Sequence, residues 1–180
     1  GLRMARNLVQ QKLLFMPKHE VGIALFGTVE THNDLQHDGY SNVIVAREGR
    51  LEPPDLDALQ LLSAVPPGGA ESDAVNGLIV AIDWLIKRTR MSKFGGKSVH
   101  MFTDGASAAP GDPDLEECVR QLEANGCSLV ITPIAAHDAG VWTQLAAASP
   151  RVTVEPLSAV ARRCSLSVKP VEVRAKVRLN

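Results

Sequence analysis

The sequence has little cysteine, no marked excess of charge of either sign and no long apolar run. Its three cysteines, Cys118, Cys127 and Cys164, lack metal-ligand spacing and indicate free thiols in a reducing compartment, nuclear or cytosolic. The formal net charge of −1 gives no sign of a surface for nucleic acid or membrane lipid. No apolar run approaches the roughly 18 residues that span a bilayer, and no signal peptide is visible. What remains is a globular domain of 180 residues whose 45% hydrophobic content supplies a substantial core.

Short apolar runs alternate with helical patterns along most of the chain. The runs that predict strands are residues 21–26, 42–46, 99–102, 127–133 and 152–154. The segments that predict helices are 2–16, a helix starting at Pro53-Pro54-Asp55, one capped by Ser72 or Asp73 that reaches about Arg90, and 113–125, 139–148 and 156–163. In the second helix, Leu56, Leu59 and Leu62 are expected to face the core. This alternation predicts an α/β fold, a doubly wound and mostly parallel sheet with helices on both faces.

The stretch KSVHMFTDG, residues 97–105, is typical of a buried strand that opens into a loop at its carboxyl end. Ligands gather at this end of strands in open α/β sheets, so Asp104 is a candidate functional residue. Its carboxylate could bind a hard cation, act in acid/base chemistry or cap the following turn. Because Asp-Gly is ordinary turn chemistry, the residues themselves favour the capping role.

Residues 28–41 form a polar, turn-rich segment. Its side chains with metal-binding chemistry are His32, Asp34, His37 and Asp38. Loop residues this close together seldom converge on one ion without a scaffold, so a metal site is disfavoured. The same segment carries two large apolar side chains, Leu35 and Tyr40. They are either tucked under the loop as an anchor or displayed for a partner, and the sequence alone favours the anchor.

Two further segments are rich in cations. The cluster near the end of the helix that reaches Arg90 consists of Lys87, Arg88, Arg90, Lys93 and Lys97. Cations are favoured at a helix C-terminus, which explains most of this cluster, and contact with phosphates is the weaker alternative.

In the tail, residues 171–179 alternate apolar and polar side chains, as in a strand with one solvated face. This pattern predicts that residues 164–180 open a second, β-rich domain and that residues 1–163 form the first. The mostly basic polar face is either ordinary solvation or the start of a polyanion footprint.

Three motifs occur in an order and spacing that resembles the amino-terminal von Willebrand factor type A domain of the Ku family, in its large subunit. They are ALFGT at 24–28, Pro67-Gly68 followed by Asp73 and LIV at 78–80, and HMFTD at 100–104. The resemblance covers nearly the whole chain, and the tail resembles the entry into the Ku β-barrel. It implies a Rossmann-like type A fold.

The resemblance implies a non-catalytic binding module without a cofactor. Ku is a nuclear heterodimer of a large and a small subunit that encircles double-stranded DNA ends, starts non-homologous end joining and contributes at telomeres. Its β-barrels form most of the ring, while its type A domains recruit partners and contact no membrane. Within the tail, the resemblance places Arg174, Lys176 and Arg178 closest to DNA.

In the family, the loop that corresponds to residues 28–40, after the strand at 21–26, borders a groove. This groove receives short basic-and-aromatic motifs from repair factors. Leu35 and Tyr40 match the apolar positions of that groove. Asp34, Asp38 and Asp73 are expected to offer carboxylates to the basic part of such a peptide.

The chain departs from metal-binding type A domains at two of three loops. Asp104 matches their third-loop aspartate, but Ala74 stands at the position of their second-loop threonine, and the first-strand motif Asp-x-Ser-x-Ser is absent. A hard cation wants about six oxygen ligands, so the metal site is expected to be lost. Two alternatives stay open: a metal-dependent adhesion-type domain, against which Ala74 argues, and a doubly wound hydrolase using Asp104, for which the sequence supplies no partner residues.

The first strand of the resembled fold is central and would lie between residues 21–26 and 99–102. The chain opens with Gly1-Leu2-Arg3 and runs directly into a helical pattern. We therefore expect it to be a piece of a longer polypeptide in which residues before Gly1 supply that strand. Direct pairing of 21–26 with 99–102 would contradict this expectation.

Overall fold

Helices and strands alternate through the part of the chain that this computed structural model describes, residues 1–66, 70, 73–91, 94–105, 111–135 and 139–164. In chain order the elements are α1 (Leu2–Phe15), β1 (Ala24–Phe26), β2 (Val43–Val45), α2 (Leu56–Ala64), α3 (Ala74–Thr89), β3 (Lys97–Thr103), α4 (Pro113–Ala124), β4 (Cys127–Pro133), α5 (Ala139–Ala148), β5 (Val152–Val154) and α6 (Leu157–Cys164). Single 3₁₀ turns occupy Gln36–Asp38 and Arg47–Gly49. The order agrees with the sequence prediction. The predicted β-strand of the tail and the Pro67-Gly68 motif lie outside the described residues.

Strands β3, β4 and β5 form a parallel sheet in the order β3-β4-β5. The register of β3 and β4 runs from Lys97 opposite Cys127 to Thr103 opposite Pro133. Parallel pairing places the carboxyl ends of these strands at one edge and their amino ends at the opposite edge. The predicted α/β class with a mostly parallel sheet is confirmed.

Helices cover both faces of this sheet. Alternate residues of β3 point to opposite sides, so the strand contributes side chains to both layers of packing. Met101 packs in the main core with Leu78 of α3, Leu122 of α4 and Trp142 of α5. On the other face lie α1 and α6, joined where Gln11 Nε2 donates to the carbonyl oxygen of Arg163 at 3.1 Å. The predicted layering is therefore present.

His100 points toward the α1–α6 side. Burial lowers its pKa to about 4, and the positive charges of Lys12 and Arg163 act in the same direction. The imidazole is therefore neutral at physiological pH, as expected of a packed histidine within a strand.

Strands β1 and β2 form a separate antiparallel pair, with Phe26 opposite Val43. The two strands predicted at residues 21–26 and 42–46 are therefore antiparallel partners. Within the described residues β1 does not pair with β3, so the result that would contradict a missing central strand is not observed. That a further strand lies between them stays a prediction.

Helix α3 joins the two sheets, since it contacts β1, β2 and β3. A close approach at Gly77 makes this possible: a Cβ at this position would lie 2.8 Å from Cγ of Phe26. The sheet pieces thus share one supporting helix.

Aspartate side chains begin three of the helices. Asp55, Asp73 and Asp112 accept hydrogen bonds from the first free backbone N–H groups of α2, α3 and α4. One prediction about these helices is wrong, because Leu56 is 66% exposed rather than inward-facing. The buried residues of α2 are Ala58 and Leu62, and Leu56 lies about 200° around the helix from Ala58.

Candidate partner-binding site

The loop between β1 and β2 is held in shape by one buried side chain, Asn33. Its Nδ2 donates to the carbonyl oxygens of Tyr40 at 3.0 Å and Val43 at 2.9 Å. Its Oδ1 accepts from the backbone N–H of Leu35 at 2.9 Å. Asn33 therefore fixes the positions of Leu35 and Tyr40 relative to β2. Sequence reasoning missed it, although an asparagine that bonds the backbone two residues on is a known turn signal.

Leu35 and Tyr40 are both half-buried. They pack against one core cluster, made of Val43, Val45, Val80 and Trp84. The sequence left an anchor or a displayed pair as alternatives. In the structure both side chains pack against this cluster and stay partly exposed, so a role for them in partner binding stays a prediction.

A cavity of about 240 Å³ opens between this loop and α3. We call it the loop–α3 cavity; its lining residues include Leu35, Val80 and Trp84 as apolar wall and Asp34, Asp83, Glu48 and Arg88 as polar wall. Trp84 is fixed there because its Nε1 donates to the carbonyl oxygen of Gly49 at 2.9 Å. The cavity thus combines a rigid apolar surface with carboxylates, a combination suited to a ligand with apolar and basic groups.

Lys87 lies near the carboxylates of Asp34, Asp38 and Asp83. It forms an ion pair of 2.7 Å with Asp83, one helical turn earlier. This hydrogen bond raises the pKa of Lys87, and the charges of Asp83, Asp34 and Asp38 add to the effect against a smaller opposing effect of burial. A cation therefore already occupies part of the acidic rim.

Tyr40 is also surrounded by acids. Burial raises the pKa of its hydroxyl, and the negative charges of Asp114, Asp38 and Asp83 act in the same direction, as does a Cys118 thiolate. Asp83 and Asp114 were missed from the sequence because they reach the loop only through the packing of α3 and α4.

Asp73, the remaining predicted carboxylate, caps α3. Its Oδ1 accepts from the backbone N–H groups of Val75 at 2.8 Å and Asn76 at 3.2 Å. Roughly 15 Å of helix separates it from Asp83. The structure brings Asp34 and Leu35 into the wall of the loop–α3 cavity and places Tyr40 and Asp38 beside it, but Asp73 is not among the lining residues.

At the tip of β3, Asp104 is exposed, and Gly105 turns the chain with a φ of 81°. The turn is closed by Thr103 Oγ1, which accepts from the N–H of Gly105 at 3.1 Å. Ala74 is buried at the start of α3 and offers no oxygen from its side chain.

Across the described residues, no three His, Cys, Asp or Glu side chains come together as a metal site, either at Asp104 or among His32, Asp34, His37 and Asp38. The loss of the metal site stays a prediction. Arg174, Lys176 and Arg178, predicted to lie near DNA, fall outside the described residues. None of the helices described is both long and apolar enough to cross a membrane.

The described elements form a parallel sheet with helices on both faces, and they include an attached hairpin and an exposed aspartate at a strand tip. The chain is an α/β domain of the von Willebrand type A class. A family model described as "Ku70/Ku80 N-terminal alpha/beta domain" matches residues 1–130. The chain belongs to this family.

Curated relatives narrow the match to the large subunit. The chain is 39% identical over 94 residues to "X-ray repair cross-complementing protein 5" of Dictyostelium discoideum, covering 52% of this chain and 12% of the relative. It is 38% identical over 101 residues to "ATP-dependent DNA helicase 2 subunit KU80" of Arabidopsis thaliana, covering 55% and 15%. To the Xenopus laevis "X-ray repair cross-complementing protein 5" it is 35% identical over 117 residues, covering 64% and 16%. The predicted resemblance to the Ku large-subunit amino-terminal domain is confirmed, and the chain spans less than a fifth of the length of these relatives.

Proposed function

We propose that this domain is a non-catalytic scaffold within the large subunit of a Ku heterodimer. In this proposal the whole complex, formed with the small subunit, binds double-stranded DNA ends in the nucleus, starts non-homologous end joining and contributes to telomere maintenance. The observation that carries the proposal is the family match over residues 1–130, supported by relatives whose names include X-ray repair.

The part assigned to this domain is the recruitment of repair-factor peptides at the loop–α3 cavity. The apolar surface of Leu35 and Trp84 would receive the hydrophobic side chain of such a peptide, and Asp34, Asp38 and Asp83 would face its basic residues. Tyr40 extends the same surface. Asp73 would take part only for a peptide that runs along α3 toward its amino end.

Enzymatic activity is not assigned to this domain. The word helicase in the names of the plant relatives is said of proteins of which this chain covers 15% or less. Asp104 is the residue on which a hydrolase would depend, and the nearest histidine in sequence, His100, is a packed strand residue whose pKa is lowered to about 4. Ala74 argues against the adhesion-type alternative, since its methyl group cannot bind a cation.

DNA binding is assigned to the rest of the complex, with Arg174, Lys176 and Arg178 as the proposed contacts from this chain. The 180 residues alone should bind a blunt duplex weakly and with little dependence on salt, since few phosphates would be neutralised. The complete heterodimer should bind it tightly. Electrophoretic mobility shifts at several salt concentrations measure both. Tight binding by the 180 residues with a steep salt slope would contradict the proposal.

A further inference from the structure

The edge of the parallel sheet opposite Asp104 carries a second surface, remote from the strand tips. The amino ends of β3, β4 and β5 meet there because the strands are parallel. Helix α3 ends at Thr89, and the chain returns to the sheet at Lys97. We call this surface the basic apolar edge; it is made of Arg90, Met91, Phe94, Lys97 and Arg151.

Two of these cations flank the start of β4. Lys97 pairs in register with Cys127, and the carbonyl oxygen of Arg151 accepts from the N–H of Leu129 at 2.8 Å. The positive charges of Lys97 and Arg151 both favour the thiolate of Cys127, against a larger effect of burial that raises its pKa. The two side chains therefore lie within electrostatic range of Cys127, on either side of β4.

The cations of this edge have no counter-ion in the described part of the chain. Lys87 pairs with Asp83 and Arg120 with Glu117, whereas Arg90, Lys97 and Arg151 form no ion pair there. No acidic residue occurs in the sequence between Asp83 and Asp104. Glu123 lies at the same edge, where its carboxylate accepts from Ser149 Oγ at 2.6 Å, and the three cations outnumber it. The edge thus keeps a net positive charge.

Apolar side chains stand among these cations. Met91 is 94% exposed and Phe94 37% exposed. Gly95 and Gly96, next along the chain, are exposed as well, and in the described part of the chain no atom other than those of their chain neighbours lies within 4 Å of their Cβ positions. The favourable interaction of cations with a helix C-terminus explains the position of Arg90, but it does not explain why a methionine and a phenylalanine are displayed. A flexible thioether is well suited to fit an apolar partner surface.

We propose that the basic apolar edge docks an acidic protein segment that carries apolar side chains. Carboxylates of the partner would face Arg90, Lys97 and Arg151, while its apolar side chains would cover Met91 and Phe94. A nucleic acid backbone would satisfy the cations but leave Met91 uncovered. This surface lies apart from the loop–α3 cavity and carries charge of the opposite sign. The two sites would therefore bind partners of opposite charge.

The test uses the full-length protein and the fluorescein-labelled peptide Asp-Asp-Leu-Glu-Asp-Phe-Asp-Glu-Leu, followed by fluorescence anisotropy. A second peptide has serine in place of each leucine and phenylalanine and keeps the same charge. The apolar peptide should bind more tightly than the serine peptide. Arg90→Glu should weaken its binding about tenfold, because an attractive charge becomes repulsive. Met91→Ser should weaken the apolar peptide several-fold and leave the serine peptide unchanged.

Matched controls are Arg162→Glu, an exposed arginine on α6, and Met16→Ser, a methionine 41% exposed after α1. Both should bind like the unaltered protein, and thermal unfolding should show all variants folded. Equal affinity for the two peptides, or equal losses in Arg90→Glu and Arg162→Glu, would overturn the proposal. It would also be overturned if a single-stranded oligonucleotide bound in an Arg90-dependent way while Met91→Ser changed nothing.

Discussion

At the scale of single residues, Asn33 and Lys87 lie at the proposed partner-binding site, and neither was identified as part of it from the sequence. Asn33 holds the loop through three hydrogen bonds within it, and Lys87 places a positive charge among the carboxylates of the rim. The sequence showed Lys87 only as one cation of a cluster at a helix end. Its contact with the charges of Asp34 and Asp38 depends on how α3 packs against the loop.

Lys87→Met should therefore strengthen the binding of a basic-apolar peptide at the loop–α3 cavity by about three- to tenfold. The substitution removes a competing cation and keeps the aliphatic stem. Fold stability should change little, because an exposed i,i+4 ion pair contributes only about 0.3–0.5 kcal/mol. Lys18→Met, on an exposed lysine just after α1, is the control. The site assignment would fail if peptide affinity fell in Lys87→Met or if both variants behaved alike.

At the scale of elements, much of the fold follows from local signals. The bounds of β4, α5 and β5 agree with the sequence prediction because each is delimited by turn residues and by a clear change of period. Of the three leucines of α2 expected to face the core, Leu62 is buried and Leu59 packs against the core, whereas Leu56 is exposed. The sequence did not identify Ala58, which is fully buried. Which face of a short apolar helix is buried depends on its neighbour, here α1.

The sequence did not predict the contact between α3 and β1, because nothing in it shows that Gly77 lies against Phe26. Gly77→Ala should destabilise the domain by about 1–3 kcal/mol, the usual cost of overpacking, despite the better helix propensity of alanine. The new Cβ would lie 2.8–2.9 Å from atoms of Phe26.

Gly140→Ala is the matched control, because within the described residues nothing outside its own helix and chain neighbours lies within 4 Å of its Cβ position in α5. This variant should be neutral or stabilised by up to about 1 kcal/mol. Urea denaturation of both variants gives the comparison. If the two were equally stable, the close approach of α3 to β1 would not constrain the fold.

At the scale of the whole molecule, a formal net charge of −1 conceals two surfaces of opposite sign. In the wall of the loop–α3 cavity, three carboxylates outnumber the single cation Arg88; they belong to Asp34, Glu48 and Asp83. The basic apolar edge carries Arg90, Lys97 and Arg151. The net charge sums over both surfaces. It therefore argued against a strongly basic DNA-binding domain, but it could not reveal either surface. The family resemblance predicted Leu35 and Tyr40 as site residues. Their neighbours Val80 and Trp84 were identified only from the three-dimensional packing.

That a further strand lies between β1 and β3 stays a prediction; in the described residues these two strands belong to separate sheets. The tail likewise lies outside the described residues, so the second domain and its DNA contacts rest on the alternating pattern and the resemblance alone. The order of motifs along the chain predicted the family, and the family match over residues 1–130 agrees with that prediction.

Recruitment of basic-apolar peptides at the loop–α3 cavity is the central claim, and Leu35→Arg tests it most directly. The measurement is fluorescence anisotropy of a labelled basic-and-aromatic motif peptide with the full-length protein, beside thermal unfolding. Leu14→Arg, at a leucine 60% exposed on α1, is the control. Leu35→Arg should weaken peptide binding tenfold or more, since an apolar docking residue often contributes about 2 kcal/mol, while DNA-end binding and the melting temperature stay near those of the control. Unchanged peptide affinity, or a large fall in melting temperature in place of a specific loss of binding, would contradict the claim and leave Leu35 as a structural anchor.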